Sequence, residues 1–154
     1  PGFDFLVTQG CPKDGDVTTY MHELGHNLNL LHGGFEDCNY KPNYNSIMNY
    51  RYNYAFRDCA TEVQADLSYS RGLLADLNEN ALNEAQGVCD DVAIDWNVDG
   101  SIGTIQYNVN SAEASQQENC GGTFTVLKDF DDWTNLVFLG PEMSQFMFPV
   151  RILE

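Results

Sequence analysis

All three histidines of the chain lie within eleven residues, in the run His22-Glu23-Leu24-Gly25-His26-Asn27-Leu28-Asn29-Leu30-Leu31-His32. Three imidazoles can bind one metal ion, and the carboxylate of Glu23 can accept a proton from a water molecule. These residue types at this spacing predict a zinc site that carries out hydrolysis.

An α-helix brings the first two histidines to one side. At about 100° per residue, His26 lies about 40° from His22, and Asn29 lies about 20° from it in the other direction. The helix is predicted to run from about Thr19 to Asn29, with its N-cap at Asp16, Thr18 or Thr19. Its buried face is predicted on the far side, from the apolar residues Met21, Leu24, Leu28 and Leu31.

His32 reaches the same ion only if the helix ends before it. Ten residues of helical rise would carry His32 about 15 Å from His22, whereas zinc–nitrogen bonds are about 2.0–2.1 Å long. Asn29 lies where the chain has to reverse, and asparagine tolerates the left-handed conformation that ends many helices. Gly33 and Gly34 then free the backbone after His32. We therefore expect a helix, a reversal at Asn29 and a metal site built from both.

The run HELGHNLNLLHGG resembles the long zinc motif HExxHxxGxxH of the metzincin metallopeptidases, with Asn29 in place of the usual glycine. The later segment Ser46-Ile47-Met48-Asn49-Tyr50 resembles the Met-turn of that family. The resemblance covers about residues 3–60 and implies a zinc ion above Met48, held by His22, His26 and His32. It also implies that Tyr50 reaches the metal, as the corresponding tyrosine does in astacin-like and serralysin-like members.

The fold implied by this resemblance is α+β, a metzincin-like catalytic domain. It would consist mainly of the zinc helix and the C-terminal subdomain, mostly helix and irregular loop with a few strands. The implied activity is that of a secreted zinc-dependent endopeptidase that hydrolyses peptide bonds with a zinc-activated water. In that mechanism Glu23 is the general base, and Tyr50 donates a hydrogen bond to the developing oxyanion.

The segment ahead of the helix is short for this family. Metzincins place a whole upper subdomain there, whereas 21 residues precede His22, with a single predicted strand in Phe3–Thr8. We therefore expect an upstream polypeptide to complete the catalytic domain and to align the protein or peptide substrate. Residues 1–87 are expected to hold the end of the upper sheet, the zinc helix, the Met-turn and the following helices. Residues 88–154 are expected to form a C-terminal extension packed on the same domain.

Charge and cysteine content favour an extracellular setting. Twenty-three acidic and seven basic residues give a net charge of −16, which argues against nucleic acid or an anionic membrane as a partner. No apolar run approaches the roughly 20 residues of a membrane span. The five cysteines are dispersed, which is typical of extracellular disulfide bonds. The predicted pairs are Cys38–Cys59 and Cys89–Cys120, and Cys11 either pairs outside the chain or is a free buried thiol.

Beyond Thr61 the apolar pattern predicts helices, the last of them from Asn78 to Gly87. A candidate calcium site follows, because the oxygen-bearing residues Asp95, Asn97 and Asp99 alternate ahead of Gly100 as in the first half of an EF-hand-type loop. Gln106 stands at the twelfth position, where such loops carry glutamate, so a neighbouring carboxylate of Asp90 or Asp91 would have to compensate. The alternative is an ordinary Asp/Asn/Gly turn.

The tail, residues 121–154, is predicted to add one or two strands or a short helix. Its acidic residues Asp131 and Asp132 beside Trp133 favour a solvated turn with a buried tryptophan over a role with a cation or a substrate. The sequence thus predicts a zinc endopeptidase assisted by calcium. The alternative is a non-catalytic, acidic metal-binding structural fragment of a larger extracellular assembly.

Overall fold

The computed structural model describes residues 15–52, 68–89, 92–110, 120 and 124–138. These residues contain one α-helix, α1 (Gly15–Asn27), and a 3₁₀ turn, Trp133–Asn135. Four two-residue strands accompany them: β1 (Leu77–Asn78), β2 (Leu82–Asn83), β3 (Thr104–Ile105) and β4 (Val126–Leu127). The rest of the described residues form irregular chain and turns, and no helix within the described ranges has the length and apolar character to cross a membrane.

Several predictions fall on residues that the structure does not describe. They concern the strand at Phe3–Thr8, the cysteines Cys11 and Cys59, and the first part of the helical pattern after Thr61. The compensating carboxylates proposed at Asp90 and Asp91 also lie outside the described residues.

Helix α1 begins earlier than predicted and buries a different side. It starts at Gly15, so the expected N-cap residues Asp16, Thr18 and Thr19 all lie inside it, and the predicted start is wrong. The expected apolar face is only partly buried, and Leu31 beyond the helix is 39% exposed. The fully buried positions of α1 are instead Thr18, His22 and Gly25. The helix therefore packs into the protein with its histidine side, because Gly25 lets the chain beneath approach closely.

Two buried clusters form the core of the described residues. The first lies beneath α1 and consists of Leu30, Tyr44, Ile47, Met48 and Tyr69. The second surrounds the two small sheets and consists of Cys38, Leu77, Leu82, Val88, Cys89 and Leu127. The first cluster is the floor of the histidine site, and the second joins residues on both sides of the predicted boundary at residue 87.

Short strands replace the helix predicted from Asn78 to Gly87. β1 pairs with β4 and β2 pairs with β3, both in antiparallel register. The sequence repeats Leu-Asn-Glu at a spacing of five residues, in Leu77–Glu79 and Leu82–Glu84. Each asparagine side chain accepts a hydrogen bond from the backbone N–H two residues later, which closes a turn. The helix prediction is wrong because the two turns lie five residues apart, and this spacing does not fit one face of a helix.

The glutamate of each repeat anchors a distant segment. Glu79 and Glu84 are 1% and 0% exposed. The carboxylate of Glu79 accepts the backbone N–H groups of Val109 and Thr125, at 2.9 and 2.8 Å. That of Glu84 accepts those of Trp96 and Gly103, at 2.9 and 3.0 Å. Charged acceptors that satisfy buried N–H groups are strong structural anchors, so irregular chain is held in place here without long strands.

One disulfide bond links the two halves of the described chain. It joins Cys38 to Cys120, which are separated by 82 residues in the sequence. Cys89 is disulfide-bonded as well. The predicted pairs Cys38–Cys59 and Cys89–Cys120 are therefore both wrong, because proximity along the chain does not set which cysteines meet in space.

Candidate metal centre

The end of α1 turns the chain back toward the first two histidines. Asn29 has φ of 70°, which confirms the left-handed conformation expected for it. The backbone N–H of Leu30 donates to the carbonyl of Gly25 at 2.9 Å, and that of Asn29 donates to the carbonyl of His26 at 3.1 Å. This pair of hydrogen bonds is a Schellman motif with asparagine at the left-handed position.

His32 is presented by a tight turn that follows this reversal. Leu31 and Gly34 exchange both backbone hydrogen bonds, at 2.8 and 3.0 Å, so His32 and Gly33 form a two-residue loop. Gly33 is required here because a Cβ at this position would lie 2.5 Å from the carbonyl oxygen of Cys38. Gly34 has φ of 88° and lies against the ring of Phe130. The two glycines thus allow the turn that returns His32 to the helix.

The three histidines meet at one point. One nitrogen from each of His22, His26 and His32 lies within 4.8 Å of the other two. The Nε2 atoms of His22 and His26 are 3.1 Å apart, and the ring of His32 lies 5.3 Å from that of His22 and 4.8 Å from that of His26. Tetrahedral zinc with bonds of about 2.1 Å separates its ligands by about 3.4 Å. The histidine nitrogens therefore need to close by about 1.4 Å at most to bind one such ion.

The other ring nitrogens of His22 and His26 fix the tautomers. Nδ1 of His22 is 2.9 Å from the carbonyl oxygen of Ile47, and Nδ1 of His26 is 2.9 Å from that of Leu30. A carbonyl oxygen only accepts hydrogen bonds, so both Nδ1 atoms carry the proton. When both rings are neutral, each presents a lone pair at Nε2, and the two Nε2 atoms face each other at 3.1 Å. A cation between them turns this repulsion into attraction, which is the arrangement of histidine ligands with their supporting hydrogen bonds.

His32 has a carboxylate as its neighbour instead of a carbonyl. Its Nδ1 lies 3.8 Å from an oxygen of Asp37, and the His32 side chain is 15% exposed. Burial lowers the pKa of His32, and the nearby His26 lowers it further. Burial also lowers the pKa of His22, and its hydrogen bond to Ile47 opposes that effect. Both histidines therefore favour the neutral form that metal binding requires.

Glu23 and Tyr50 lie beside the three imidazoles. The negative charge of Glu23 acts on both His22 and His32 and opposes the lowering of their pKa values. The ring of Tyr50 stacks on that of His22 at 5.4 Å and lies 4.6 Å from that of His32, while Tyr50 stays 44% exposed. An acidic group and a phenol thus border the histidines, one from α1 and one from the chain below.

Met48 forms the floor of the site. It is fully buried, within the segment Ser46–Tyr50 that was predicted as a Met-turn; we refer to these residues as the Ser46–Tyr50 turn. A Cβ at Gly25 would lie 2.2 Å from the sulfur of Met48 and 3.1 Å from the ring of Tyr69. The glycine of the HELGH run therefore has a packing role, since it lets α1 rest directly on the thioether.

Amide side chains hold the Ser46–Tyr50 turn from one side. The side-chain oxygen of Asn39 accepts the backbone N–H of Tyr50 at 2.9 Å. Asn49 donates from its amide to the carbonyl oxygens of Lys41 and Tyr44, both at 2.8 Å. Neither asparagine is recognisable as a support from the sequence, because these bonds span 5 to 11 residues without a recognisable motif.

Lys41 is a second support that the sequence did not reveal. Its ammonium group is fully buried and donates to the carbonyl oxygens of Gly33 and Lys128, both at 2.7 Å, and to the carboxylate of Glu36 at 3.1 Å. Burial lowers its pKa, and the charge of Glu36 opposes that effect. Lys41 therefore ties the loop after His32 to the end of β4.

The candidate calcium residues form a self-contained turn. Both carboxylate oxygens of Asp95 accept backbone N–H groups, one from Asp99 at 3.1 Å and the other from Gly100 at 2.8 Å. The amide of Asn97 donates to Asp99 at 2.9 Å, and Gly100 has φ of 81° as a sharp turn requires. Gln106 lies apart from this turn and donates to Asn80 at 3.2 Å. These bonds fit an ordinary Asp/Asn/Gly turn, and calcium at this turn stays a prediction from the sequence.

The acidic segment of the tail differs from the solvated turn predicted for it. Asp132 is fully buried, whereas Trp133 is 47% exposed and packs edge-on against Tyr69 at a ring distance of 5.4 Å. The predicted burial is therefore reversed between these neighbours. Asp132 is buried because its carboxylate accepts hydrogen bonds from the hydroxyl groups of Tyr44 and Ser46 and from the backbone N–H of Ser70.

Comparisons with known proteins add no family to this geometry. No protein-family model matches the chain, and neither a curated protein nor a solved structure shows a significant match. Function is therefore inferred from the residues themselves.

Proposed function

We propose that this chain carries the metal centre of a secreted zinc-dependent endopeptidase with a metzincin-like fold. The observation that supports it is the convergence of His22, His26 and His32, whose coordinating nitrogens lie within 4.8 Å of one another. Two of these rings have their tautomers fixed by backbone carbonyls and direct lone pairs at each other. A core built only for stability gains nothing from opposed lone pairs, whereas a cation site requires them.

The donor set fits zinc. Three neutral imidazoles, with hydrogen bonds that fix the outer nitrogen, are typical of catalytic zinc sites that leave one position open. Imidazole also suits copper, iron and nickel, so the identity of the metal is part of the test. When bound, zinc would supply Lewis-acid chemistry, which acidifies a water molecule and polarises the carbonyl of the peptide.

The remaining groups have distinct roles in this proposal. The carboxylate of Glu23 accepts the proton of the attacking water and later delivers a proton to the leaving amine. The hydroxyl group of Tyr50 donates a hydrogen bond to the oxyanion that develops on the peptide. The exposure of Tyr50 allows its ring to move as substrate arrives. Met48 supports α1 from below and takes no part in the chemistry.

Secretion and partners are part of the same proposal. The Cys38–Cys120 disulfide bond suits an oxidising compartment. A net charge of −16 disfavours nucleic acid as a substrate. Protein or peptide as the substrate class is what the resemblance of the histidine run to the metzincin motif implies. An upstream polypeptide would complete the domain and supply the edge that aligns the peptide backbone.

The decisive experiment separates metal binding from hydrolysis. We expect the purified protein to bind one zinc ion per chain, and Glu23→Gln to keep that zinc while peptide cleavage falls at least about 100-fold. Asp76→Asn, at an exposed position, is the matched control and should retain both properties. Metal content is measured by mass spectrometry after dialysis, and cleavage is measured on a quenched fluorescent peptide library.

Each other outcome has a defined meaning. Full zinc content with no cleavage, in this chain and in a form that includes its upstream polypeptide, would favour the non-catalytic metal-binding alternative. Zinc content near zero in the wild-type protein would refute the metal site itself. Copper or nickel in place of zinc in the protein as isolated would refute the assignment as a zinc peptidase, whereas tighter binding of copper in a titration would not, because nitrogen ligands generally bind copper more tightly than zinc.

A further inference from the structure

Asp132 occupies a buried position beneath the candidate metal centre. Its side chain is fully buried, and its two oxygens accept three hydrogen bonds. The hydroxyl group of Tyr44 donates to Oδ1 at 2.8 Å, the hydroxyl group of Ser46 donates to Oδ2 at 2.6 Å, and the backbone N–H of Ser70 donates to Oδ2 at 2.9 Å. Tyr44 and Ser46 lie 88 and 86 residues from Asp132 in the sequence, so the carboxylate joins distant parts of the chain.

These bonds fix the entrance of the Ser46–Tyr50 turn. The hydroxyl oxygen of Ser46 also accepts the backbone N–H of Met48 at 3.2 Å. The residue between them, Ile47, donates its N–H to the carbonyl of Ser68 at 2.9 Å. Its own carbonyl oxygen therefore has a defined direction, and it is this oxygen that accepts the Nδ1 proton of His22.

We infer that Asp132 is a positioning residue of the metal centre, acting through Ser46 and the Ile47 carbonyl to orient the ring of His22. This inference rests on the proposed metal site. A second contact from the same tail segment supports it, since the backbone N–H of Val137 donates to the carbonyl of Leu28 at 2.9 Å, at the end of α1. The tail thus holds both the helix and the turn that together place the histidines.

A carboxylate is the side chain that suits this position. Two hydroxyl groups and one N–H group converge on it, so both of its oxygens must accept hydrogen bonds. An amide at the same position would present its NH₂ group to one of these donors, which leaves a buried donor without an acceptor. Asp132→Asn therefore changes the hydrogen bonding with almost no change in side-chain volume.

The experiment compares Asp132→Asn with its neighbour Asp131→Asn. The side chain of Asp131 accepts the backbone N–H of Thr134 at 3.2 Å, within its own turn, and Asp131 serves as the matched control. Solvent exchange of the Nδ1 protons of His22 and His26 is measured by ¹⁵N NMR in the metal-free protein. Zinc affinity is measured separately by competition with a chelator.

The expected result is specific to one ring. Exchange of the His22 Nδ1 proton should accelerate at least about 10-fold in Asp132→Asn, whereas that of His26, whose acceptor Leu30 lies in the helix reversal, should not change. Zinc affinity should fall about 10- to 100-fold, the usual effect of disturbing the support of a histidine ligand. Asp131→Asn should match the wild-type protein in both measurements.

The contrary outcomes are equally clear. Unchanged His22 exchange in a folded Asp132→Asn protein would overturn the inference, as would equal acceleration at His22 and His26. If Asp132→Asn does not fold, Ser46→Ala removes the hydroxyl group that links Asp132 to the Ser46–Tyr50 turn, and unchanged His22 exchange in that variant also overturns the inference. Should the wild-type protein bind no zinc, the proposed function fails, while the exchange comparison still decides the role of Asp132.

Discussion

Replacing Gly25 with alanine tests the contact between α1 and the Ser46–Tyr50 turn. The added Cβ would lie 2.2 Å from the sulfur of Met48, whereas ordinary contact is about 3.5–4.0 Å. The two elements must therefore separate by about 1.5 Å, or Met48 must leave its buried position. Overpacking of this kind costs about 1–3 kcal/mol. Alanine gains about 1 kcal/mol over glycine inside a helix, so the net loss of stability is about 1 kcal/mol.

Urea unfolding of the metal-free protein measures this effect without the added stability that bound zinc would give. A loss of about 1 kcal/mol moves the midpoint down by about 0.5–1 M. A double-mutant cycle with Met48→Ala isolates the contact. In the Met48→Ala background the alanine at position 25 fills part of the vacated space, so the same substitution should stabilise the protein there.

Two results would refute the reasoning. Gly25→Ala alone could stabilise the protein by about 1 kcal/mol, which is the effect of helix propensity without any contact. Alternatively, the substitution could have the same effect with and without Met48. Either result would mean that Met48 does not support the helix at Gly25.

Three further predictions address the chemistry, the buried acid and the calcium prediction. Tyr50→Phe keeps the ring that stacks on His22, so the affinity for zinc should not change. The kcat of peptide cleavage should fall about 100-fold, because the hydroxyl group is lost. An unchanged kcat would exclude the hydroxyl group from the reaction. Burial raises the pKa of Asp132 to about 6. Between about pH 4 and pH 6 the folded protein therefore holds a proton at Asp132 that the unfolded chain has released. The free energy of unfolding falls as pH rises through this range. Urea unfolding should therefore show that the free energy of unfolding falls by about 3 kcal/mol more in the metal-free wild-type protein than in Asp132→Asn over this range. Parallel plots of the free energy of unfolding against pH for the two proteins would contradict the prediction. Calcium should raise Tm in the wild-type protein but not in Asp95→Ala, and an unchanged wild-type Tm would leave the segment as an ordinary turn.

The features of the site that depend on neighbouring residues could be predicted from the sequence. The reversal at Asn29 is one, because a residue type and its place after a helical run determine the turn. The convergence of His22, His26 and His32 follows from that reversal together with the period of the helix. Local chemistry and helix geometry are sufficient for these expectations.

The supports of the site depend on contacts far apart in the chain. Nothing near Asp132 in the sequence indicates that it meets Ser46, and nothing near Lys41 indicates a bond to Lys128. The contact of Gly25 with Met48 also determines which side of α1 is buried. Such contacts come from the packing of the whole chain, which a single sequence does not display.

The Leu-Asn-Glu repeat marks a different kind of failure. Its signal was present in the sequence, as two identical triplets five residues apart. We interpreted the segment as a short capped helix because it ends at Gly87, and glycine is common at the C-terminal end of helices. The asparagine in each triplet forms a turn instead, and the carboxylate of the following glutamate accepts hydrogen bonds from distant amides. A repeat of turn-forming residues would have been a better guide than the terminal glycine.

The position of Asp132 has a consequence for biosynthesis. During synthesis, the three histidines leave the ribosome about a hundred residues before Asp132. On the proposed role of Asp132, the ring of His22 has no fixed direction in a nascent chain that still lacks this residue, so capture of an ion at that stage would be weak and unselective. A rigid site would form only after the segment that contains Asp132 has been synthesised, and loading with metal would follow that step.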